Sequence, residues 1–417
     1  MDNIKKCKYI YTVMKKELKE SELKMYITDI TKEIKRDNTF LNHKDIVIFN
    51  SSALLINTKH YLVASRGWYG NVRSWDGYNF TILTVMTKKF KKVRQNILDI
   101  DQDIIKQKLK FKTYKRKIAV HEKQILEGPE DPRLFAYKGD IYILFNELYY
   151  KSEDEKKPRF MHTAKIDLQS LTYSDKETLC KLHNTAFEKN WGPFIYKKQL
   201  YMLYDINPLK VLKVHNNNKC SVYINHHDIL IKKIEKSFGT DLQFHMRNST
   251  NLIPFGNKLL GMGHAVLDYK DNITINKLLI PSIDKSNYSR KDKEYFKKLY
   301  KLYLGFFYIL DMKKKEITKL SPFFQLPKQG SKEELIFFPT SMNQINSDII
   351  ITYSIGDNSS FIFKINKEIV NMSLYDKNKI DMNKNYGINV RFIQELITNM
   401  RNMYNYDINN YMKYEVL

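Results

Sequence analysis

A chain of 417 residues with 43% hydrophobic and 13% aromatic content can bury a sizeable core, which excludes a disordered chain, and its abundant Tyr and Phe favour strands. Its net charge of +24 attracts anions, whether nucleic acid, an acidic membrane surface or a phosphorylated small molecule, without choosing among them. Three cysteines, Cys7, Cys180 and Cys220, are far apart and show no CxxC spacing, so ordinary thiols are expected rather than a zinc site or a disulfide framework.

Along the chain, residues 8–36 carry charged, helix-compatible runs. MDNIKKCKYIYTVMKKELKE lacks the apolar core of a signal peptide, and no apolar run reaches the ~18 residues of a membrane span. A soluble, cytoplasmic protein in a reducing compartment is therefore expected, with peripheral membrane contact left open. Five hairpin-like units follow: 46–66, 127–147, 190–205, 246–266 and 336–357. Each has a first apolar run, a polar turn (NTKH, YKGD, YKKQ, FGNK, INSD) and a second apolar run. The second runs begin near residues 61, 141, 200, 259 and 349, which points to a unit of about sixty residues with two insertions. Further strands are expected at 79–86, 159–167 and 304–312. The basic run 290-RKDKEYFKKLYKLY-303 reads as a helix with a solvated face, because its clustered cations lack convincingly interleaved aromatics. No specific nucleic-acid partner is expected. Val390, Ile393, Ile397 and Met400 recur at helical spacing. Trp75-Asp76 lacks a WD40 period, His226-His227 reads as surface, and His162 reads as satisfied within its strand.

The expected architecture is all-β: a five-bladed β-propeller with helical N- and C-terminal extensions. Residues 1–40 are the N-terminal helical extension, 41–370 the propeller and 371–417 the C-terminal helical extension. In a propeller the inner strands end at a central funnel. Polar residues gather near such ends: Asn50, Ser51 and Arg66; Glu130, Asp131, Arg133, Asn146 and Glu147; Lys189, Asn190, Trp191 and Asp205; Arg247, Asn248 and His264; and Asp357.

Four stretches carry a family resemblance: GPEDPRLFAYKGDIY (128–142), EKNWGPF (188–194), Arg247-Asn248-Ser249-Thr250 leading to GMGH (261–264), and FFPTS with YSIGD (337–341, 353–357). Together they resemble the five-bladed propeller enzymes of glycoside hydrolase family 130 and their β-1,2-mannosyltransferase relatives. The resemblance implies an inverting, carbohydrate-active enzyme that handles mannose without a metal or cofactor. Asp131 takes the general acid/base role, acting through a hydroxyl of the bound sugar, with Glu130 beside it to help raise its pKa. Arg133, Lys189 and Arg247 become anion or sugar ligands, and Asn50, Arg66, Asn190, Trp191, His264 and Asp357 further substrate contacts. One place departs from the family's phosphorylases, which carry a His-Arg pair after the third hairpin. This chain has Leu203-Tyr204-Asp205 there, which weakens phosphate capture and makes Asp205 a candidate base. The expected activity is therefore glycosyl transfer in glycan synthesis, from a sugar nucleotide or sugar phosphate donor to a glycan acceptor. A phosphorylase or glycoside hydrolase of the same fold is the alternative, and a non-catalytic glycan- or protein-binding propeller the alternative of another class.

Overall fold

Along the strand 348–355, Ile349 and Ile351 pack to one side while Ile350 packs to the other. This two-residue period, with both faces apolar, belongs to a strand whose sheet is sandwiched between two neighbours. The computed structural model describes residues 27–71, 76–100, 128–148, 159–174, 176–180, 188–227, 243–268, 301–321, 323–324 and 337–376. These form five antiparallel sheets arranged as a five-bladed propeller.

Blade 1 runs outward through Ile46–Leu55, His60–Asn71, Asp76–Thr87 and Lys92–Leu98. Blade 2 comprises Glu130–Tyr137, Asp140–Leu148, Arg159–Asp167 and Glu177–Thr178, with Thr172–Tyr173 also pairing its third strand. Blade 3 is Gly192–Tyr196, Gln199–Ile206, Leu209–Val214 and Cys220–His226. Blade 4 has an inner strand broken into Gln243–Asn248 and Ile253–Phe255, then Lys258–Asp268, Lys301–Asp311, Glu316–Leu320 and Tyr375–Asp376. Blade 5 is Phe337–Ile345, Asp348–Ile355 and Ser359–Asn366, completed on its outside by Ile27–Asp29 from the other end of the chain.

All five expected hairpins form. Their turns show why: Lys138 (φ 52°) with Gly139 (φ 88°), and Lys197 (φ 49°) with Lys198 (φ 62°), give the paired left-handed residues of a two-residue hairpin turn. Apolar cores fill the blade interfaces. Leu62, Leu83 and Phe145 join blades 1 and 2; Leu144, Trp191 and Met202 join blades 2 and 3. Leu203, Leu259 and Phe306 join blades 3 and 4, and Phe307, Ile309 and Phe337 join blades 4 and 5. Ile350 and Ile362 of blade 5 pack with Ile48, Val63 and Phe80 of blade 1, which closes the ring.

Ile27 pairs with Phe363 and Asp29 with Phe361, so the segment read as an N-terminal helical extension supplies a strand to the last blade. A short helix, Ile30–Lys35, follows, capped by Asp29 Oδ1 accepting from Thr31 N–H at 3.0 Å. It buries Ile30 and Ile34 against blades 5 and 1. On the C-terminal side the described helix is Lys367–Ser373; the helical spacing at 388–405 lies outside the described residues. Lys301–Tyr303, read as the end of a basic helix, open a strand instead, their backbone pairing with Val266–Asp268; residues 290–300 lie outside the described set. The reading of Cys180 and Cys220 as separate thiols is corrected. They form a disulfide with Cα atoms 5.0 Å apart, where Cys180 N–H donates to the Asn218 carbonyl at 2.9 Å beside the outer strand of blade 3, a proximity that a separation of 40 residues conceals. Among the described residues, no helix is long and apolar enough to cross a membrane.

Candidate functional site

The inner strands are not regular. Pairing shifts register between Phe49 and Ser52 in blade 1, between Glu130 and Arg133 in blade 2, and between Pro339 and Ser341 in blade 5. At the first two bulges stand Asn50 (φ 48°) and Asp131 (φ 52°), and Asn190 (φ 64°) precedes the inner strand of blade 3. Asn and Asp tolerate this left-handed conformation better than other side chains that carry a Cβ. The bulge therefore turns a short polar side chain where an unbroken strand would place an apolar one.

Asp131 Oδ1 accepts from Asn50 Nδ2 at 2.7 Å and from Arg66 Nη1 at 2.9 Å. Arg66 also donates Nε to Asn79 Oδ1 at 2.7 Å, and its Nη2 lies 3.1 Å from Glu130 Oε1. Its guanidinium sits over the Phe49 ring at 4.8 Å. Glu130 takes a second guanidinium, Arg159 Nη2 at 3.0 Å, and Lys189 Nζ at 3.3 Å on its other oxygen. Arg159 Nη1 in turn donates to Asn146 Oδ1 at 2.7 Å. Arg133 donates Nε to the Ser249 carbonyl of blade 4 at 2.8 Å and Nη1 to the Asp131 carbonyl at 3.1 Å. Asn50 N–H donates to Ser354 Oγ of blade 5 at 2.5 Å. These contacts link blades 1, 2, 4 and 5 and the segment before blade 3 into one polar network that holds the Asp131 carboxylate.

Asn50, Arg66, Glu130, Asp131, Arg133 and Arg159 are all buried, whereas the Lys189 side chain is 40% exposed. Burial alone would push the Asp131 carboxyl up. Arg66, then Lys189 and Arg133, and the hydrogen bond from Asn50 outweigh it and hold Asp131 at about 2. The expectation of a raised pKa is therefore corrected: Glu130 is occupied by its own three cations, and Asp131 is an anion. Burial pushes Arg133 down to about 10, against the attraction of Asp131, so it stays charged at neutral pH.

The opposite case is Asp357, in the turn after the second strand of blade 5, with left-handed backbone (φ 49°) and partial exposure. Burial, with Asp131 and Glu130 nearby, pushes its carboxyl up to about 6 although Arg66 and Lys189 pull it down. Two buried polar atoms of this cluster have no hydrogen-bond partner among the described residues: Asn50 Oδ1 and Arg133 Nη2.

Other expected residues fall differently. Trp191 belongs to the core between blades 2 and 3, 1% exposed, with its indole N–H donated to Glu188 Oε2 at 3.1 Å; it leaves no face for a ligand. His264 is buried and pushed down to about 3, first by burial and then by Arg247 and Arg133, so it is neutral and does not replace a missing cation. Its Nδ1 lies 2.5 Å from Ser249 Oγ. Arg247 is exposed beside it in register. The Asn190 carbonyl accepts from Asn248 Nδ2 at 3.2 Å, at the point where a Cβ on Gly192 would collide with Asn248 and Thr250. Asp205 Oδ1 accepts from the backbone N–H groups of Ile206 at 2.7 Å and Asn207 at 3.4 Å, in its own turn. Neither ring nitrogen of His162 has a hydrogen-bond partner, and burial pushes its pKa down to about 4, which corrects the reading of a locally satisfied histidine. The sequence reading missed Asn79 and Arg159. Each lies at or near the start of a third strand that carries other polar residues as well, so the sequence offers no distinct signal for either.

No family model matches this chain, and no curated protein matches it. Solved structures that resemble it include glycoside hydrolase family 130 mannoside phosphorylases and related mannosyltransferases. A β-1,2-mannobiose phosphorylase from Listeria innocua is 11% identical, with 80% of this chain and 94% of that one covered and a TM-score of 0.47. A GDP-Man-dependent mannosyltransferase from Leishmania mexicana is 10% identical over 77% of this chain and 85% of its own, with a TM-score of 0.41. A mannose phosphorylase from the same organism is 10% identical over 78% and 85%, with a TM-score of 0.40.

Proposed function

We propose that this chain is a carbohydrate-active enzyme and that its reaction is glycosyl transfer, of the mannosyl type that its sequence motifs resemble. The observation that carries the reading is Asp131, buried and ionised at a bulge where five blades converge. A binding protein has little use for a carboxylate held in a left-handed turn by an amide and a guanidinium. An enzyme that must place one fixed anion beside a sugar does.

The charge state favours synthesis over breakdown. When a donor's phosphate departs, the leaving oxygen needs no proton, but the acceptor hydroxyl must lose one. An ionised Asp131 can receive it. Cleavage of a glycoside needs the opposite, an acid that already holds a proton. Lys189 and Arg247 are exposed, and Arg133 Nη2 is unpaired, so cationic donors remain for an anionic leaving group. A single carboxylate at the anomeric centre, without a covalent nucleophile, fits one displacement with inversion. Asp205 then has no required part in the step. Phosphorolysis is the same chemistry run backward, and the open cations support it as the second reading.

The test is a screen of sugar nucleotides and mannose 1-phosphate against mono- and oligosaccharide acceptors, with products read by mass and D131N alongside. Product made by the wild type and not by D131N supports the reading, and the productive donor separates transferase from phosphorylase. Saturable glycan binding without turnover, unaltered in D131N, overturns it in favour of a binding propeller.

A further inference from the structure

We propose that Asp357 is the second carboxyl of this site, a relay that receives the reaction's proton from Asp131; the proposal rests on the glycosyl-transfer reading above.

The argument begins with what holds Asp131. Its oxygen is fixed by Asn50, and Asn50 is fixed by the segment that carries Asp357. Asn50 N–H donates to Ser354 Oγ at 2.5 Å, and Ser51 N–H donates to Ser360 Oγ at 3.2 Å. Ser354 and Ser360 lie 3.1 Å apart through their hydroxyls and pair across the hairpin. They bracket the turn with Asp357 at its tip. The turn and the Asp131 support are therefore one hydrogen-bonded unit spanning blades 5, 1 and 2.

Within that unit Asp357 stands out by what it lacks. Every other carboxylate of the cluster is hydrogen-bonded or ion-paired, whereas among the described residues the Asp357 carboxylate has neither. The charged groups whose fields act on it are Arg66 of blade 1, Glu130 and Asp131 of blade 2 and Lys189 ahead of blade 3. Stability gives no reason to leave a carboxylate unpaired beside two others. A carboxylate that no hydrogen bond or ion pair occupies is free to take up a proton.

The chemistry supplies the need. In transfer, the C1–O bond to the donor's phosphate breaks and the electron pair leaves on the phosphate oxygen. The acceptor oxygen bonds to C1, and its proton passes to Asp131. A carboxylate held at about 2 does not retain that proton, so the proton moves on. Asp357, held near 6, retains it and releases it to solvent. No direct hydrogen bond joins the two carboxyls, so a hydroxyl of the bound sugar or a water bridges them. The unpaired Asn50 Oδ1 is a ready acceptor for the hydrogen of that bridging group: its amide must turn Nδ2 toward Asp131, which leaves Oδ1 open.

The experiment is the pH profile of kcat and kcat/KM for wild type, D357N and D357E with the donor and acceptor found active. Wild type is expected to lose rate as pH falls through about 6, where Asp357 protonates. D357N is expected to lose that limb and to fall roughly 10²-fold in kcat with KM little changed, and D357E to restore part of both. A D357N enzyme that turns over with the wild-type limb intact, or that changes KM alone, overturns the relay and leaves glycosyl transfer standing. No turnover by wild type with any donor overturns the transfer reading, and the relay with it. A thermal melt of each variant identifies misfolding, in which case D357E carries the comparison.

Discussion

Arg66 Nη1 reaches Asp131 Oδ1 at 2.9 Å across the boundary between blades 1 and 2, and the same guanidinium reaches Glu130 Oε1 at 3.1 Å. One side chain thus pairs with the buried carboxylates of two sequence neighbours at the bulge between Glu130 and Arg133. The arrangement explains why a β-hairpin opens on Glu-Asp-Pro-Arg: Glu130 anchors the cations, Asp131 binds Asn50 and Arg66, and Arg133 ties blade 2 to blade 4 through the Ser249 carbonyl.

Arg66→Met is expected to destabilise the fold by about 3–5 kcal/mol, because it leaves Asp131 without its direct ion pair while the carboxylate stays buried. Arg66→Lys, a point charge without the fork that reaches Asn79, Asp131 and Glu130 together, is expected to recover only part of this. Urea unfolding of both variants at neutral pH gives the measurement; a loss below about 1 kcal/mol in Arg66→Met would contradict the network.

Asp131 sets a pH dependence of stability. Its folded pKa, about 2, lies below the ordinary carboxylate value, so its contribution is full above pH ~4 and is lost as pH falls toward 2. The linkage amounts to about 2–3 kcal/mol. The difference in unfolding free energy between wild type and D131N is expected to change by about 1.5 kcal/mol between pH 5 and 2.5.

Asp357 carries the opposite sign. Its folded pKa is raised to about 6, so the fold favours the protonated carboxyl and stability falls as pH rises from about 4 through 6. D357N removes this cost. It is expected to be more stable than wild type by about 1–2 kcal/mol at pH 8, after allowance for partial exposure, and no more stable at pH 3.5. A variant that gains stability while losing rate would fit a site that trades one for the other.

The Cys180–Cys220 bond closes a loop with a sequence separation of 40 residues, for which chain entropy gives about 4 kcal/mol. Oxidised protein is expected to show no free thiol at either position by mass-mapped alkylation, and Cys180→Ser/Cys220→Ser to melt several degrees lower.

The blades were legible in the sequence because hairpins are local. Two-residue turns such as Lys138-Gly139 sit between runs whose alternation shows in a short window. The fifth blade's outer strand, Ile27–Asp29, was not: three residues carry no period, and their partner Phe361–Phe363 lies at the far end of the propeller. The site was legible where polarity interrupts an inner strand, as at Asn50 and Asp131. It was hidden where one polar residue near the start of an outer strand is recruited radially, as with Asn79 and Arg159. Charge states were the least legible. Asp131 and Asp357 look alike in sequence, and their titrations part because Arg66 and Asn50 bond directly to the first. Trp191, expected as a substrate contact, was illegible in the same way: its burial depends on Glu188 and on the neighbouring blade.

The central claim, that Asp131 faces a sugar in the funnel, is tested most directly by a crystal structure of the protein with mannose 1-phosphate. The expected result places a ring hydroxyl within hydrogen-bond distance of Asp131 and Asn50 Oδ1, with the phosphate against Lys189, Arg247 or Arg133 Nη2. A sugar phosphate bound away from the five inner strands, or a funnel left empty at saturating concentration, would contradict it.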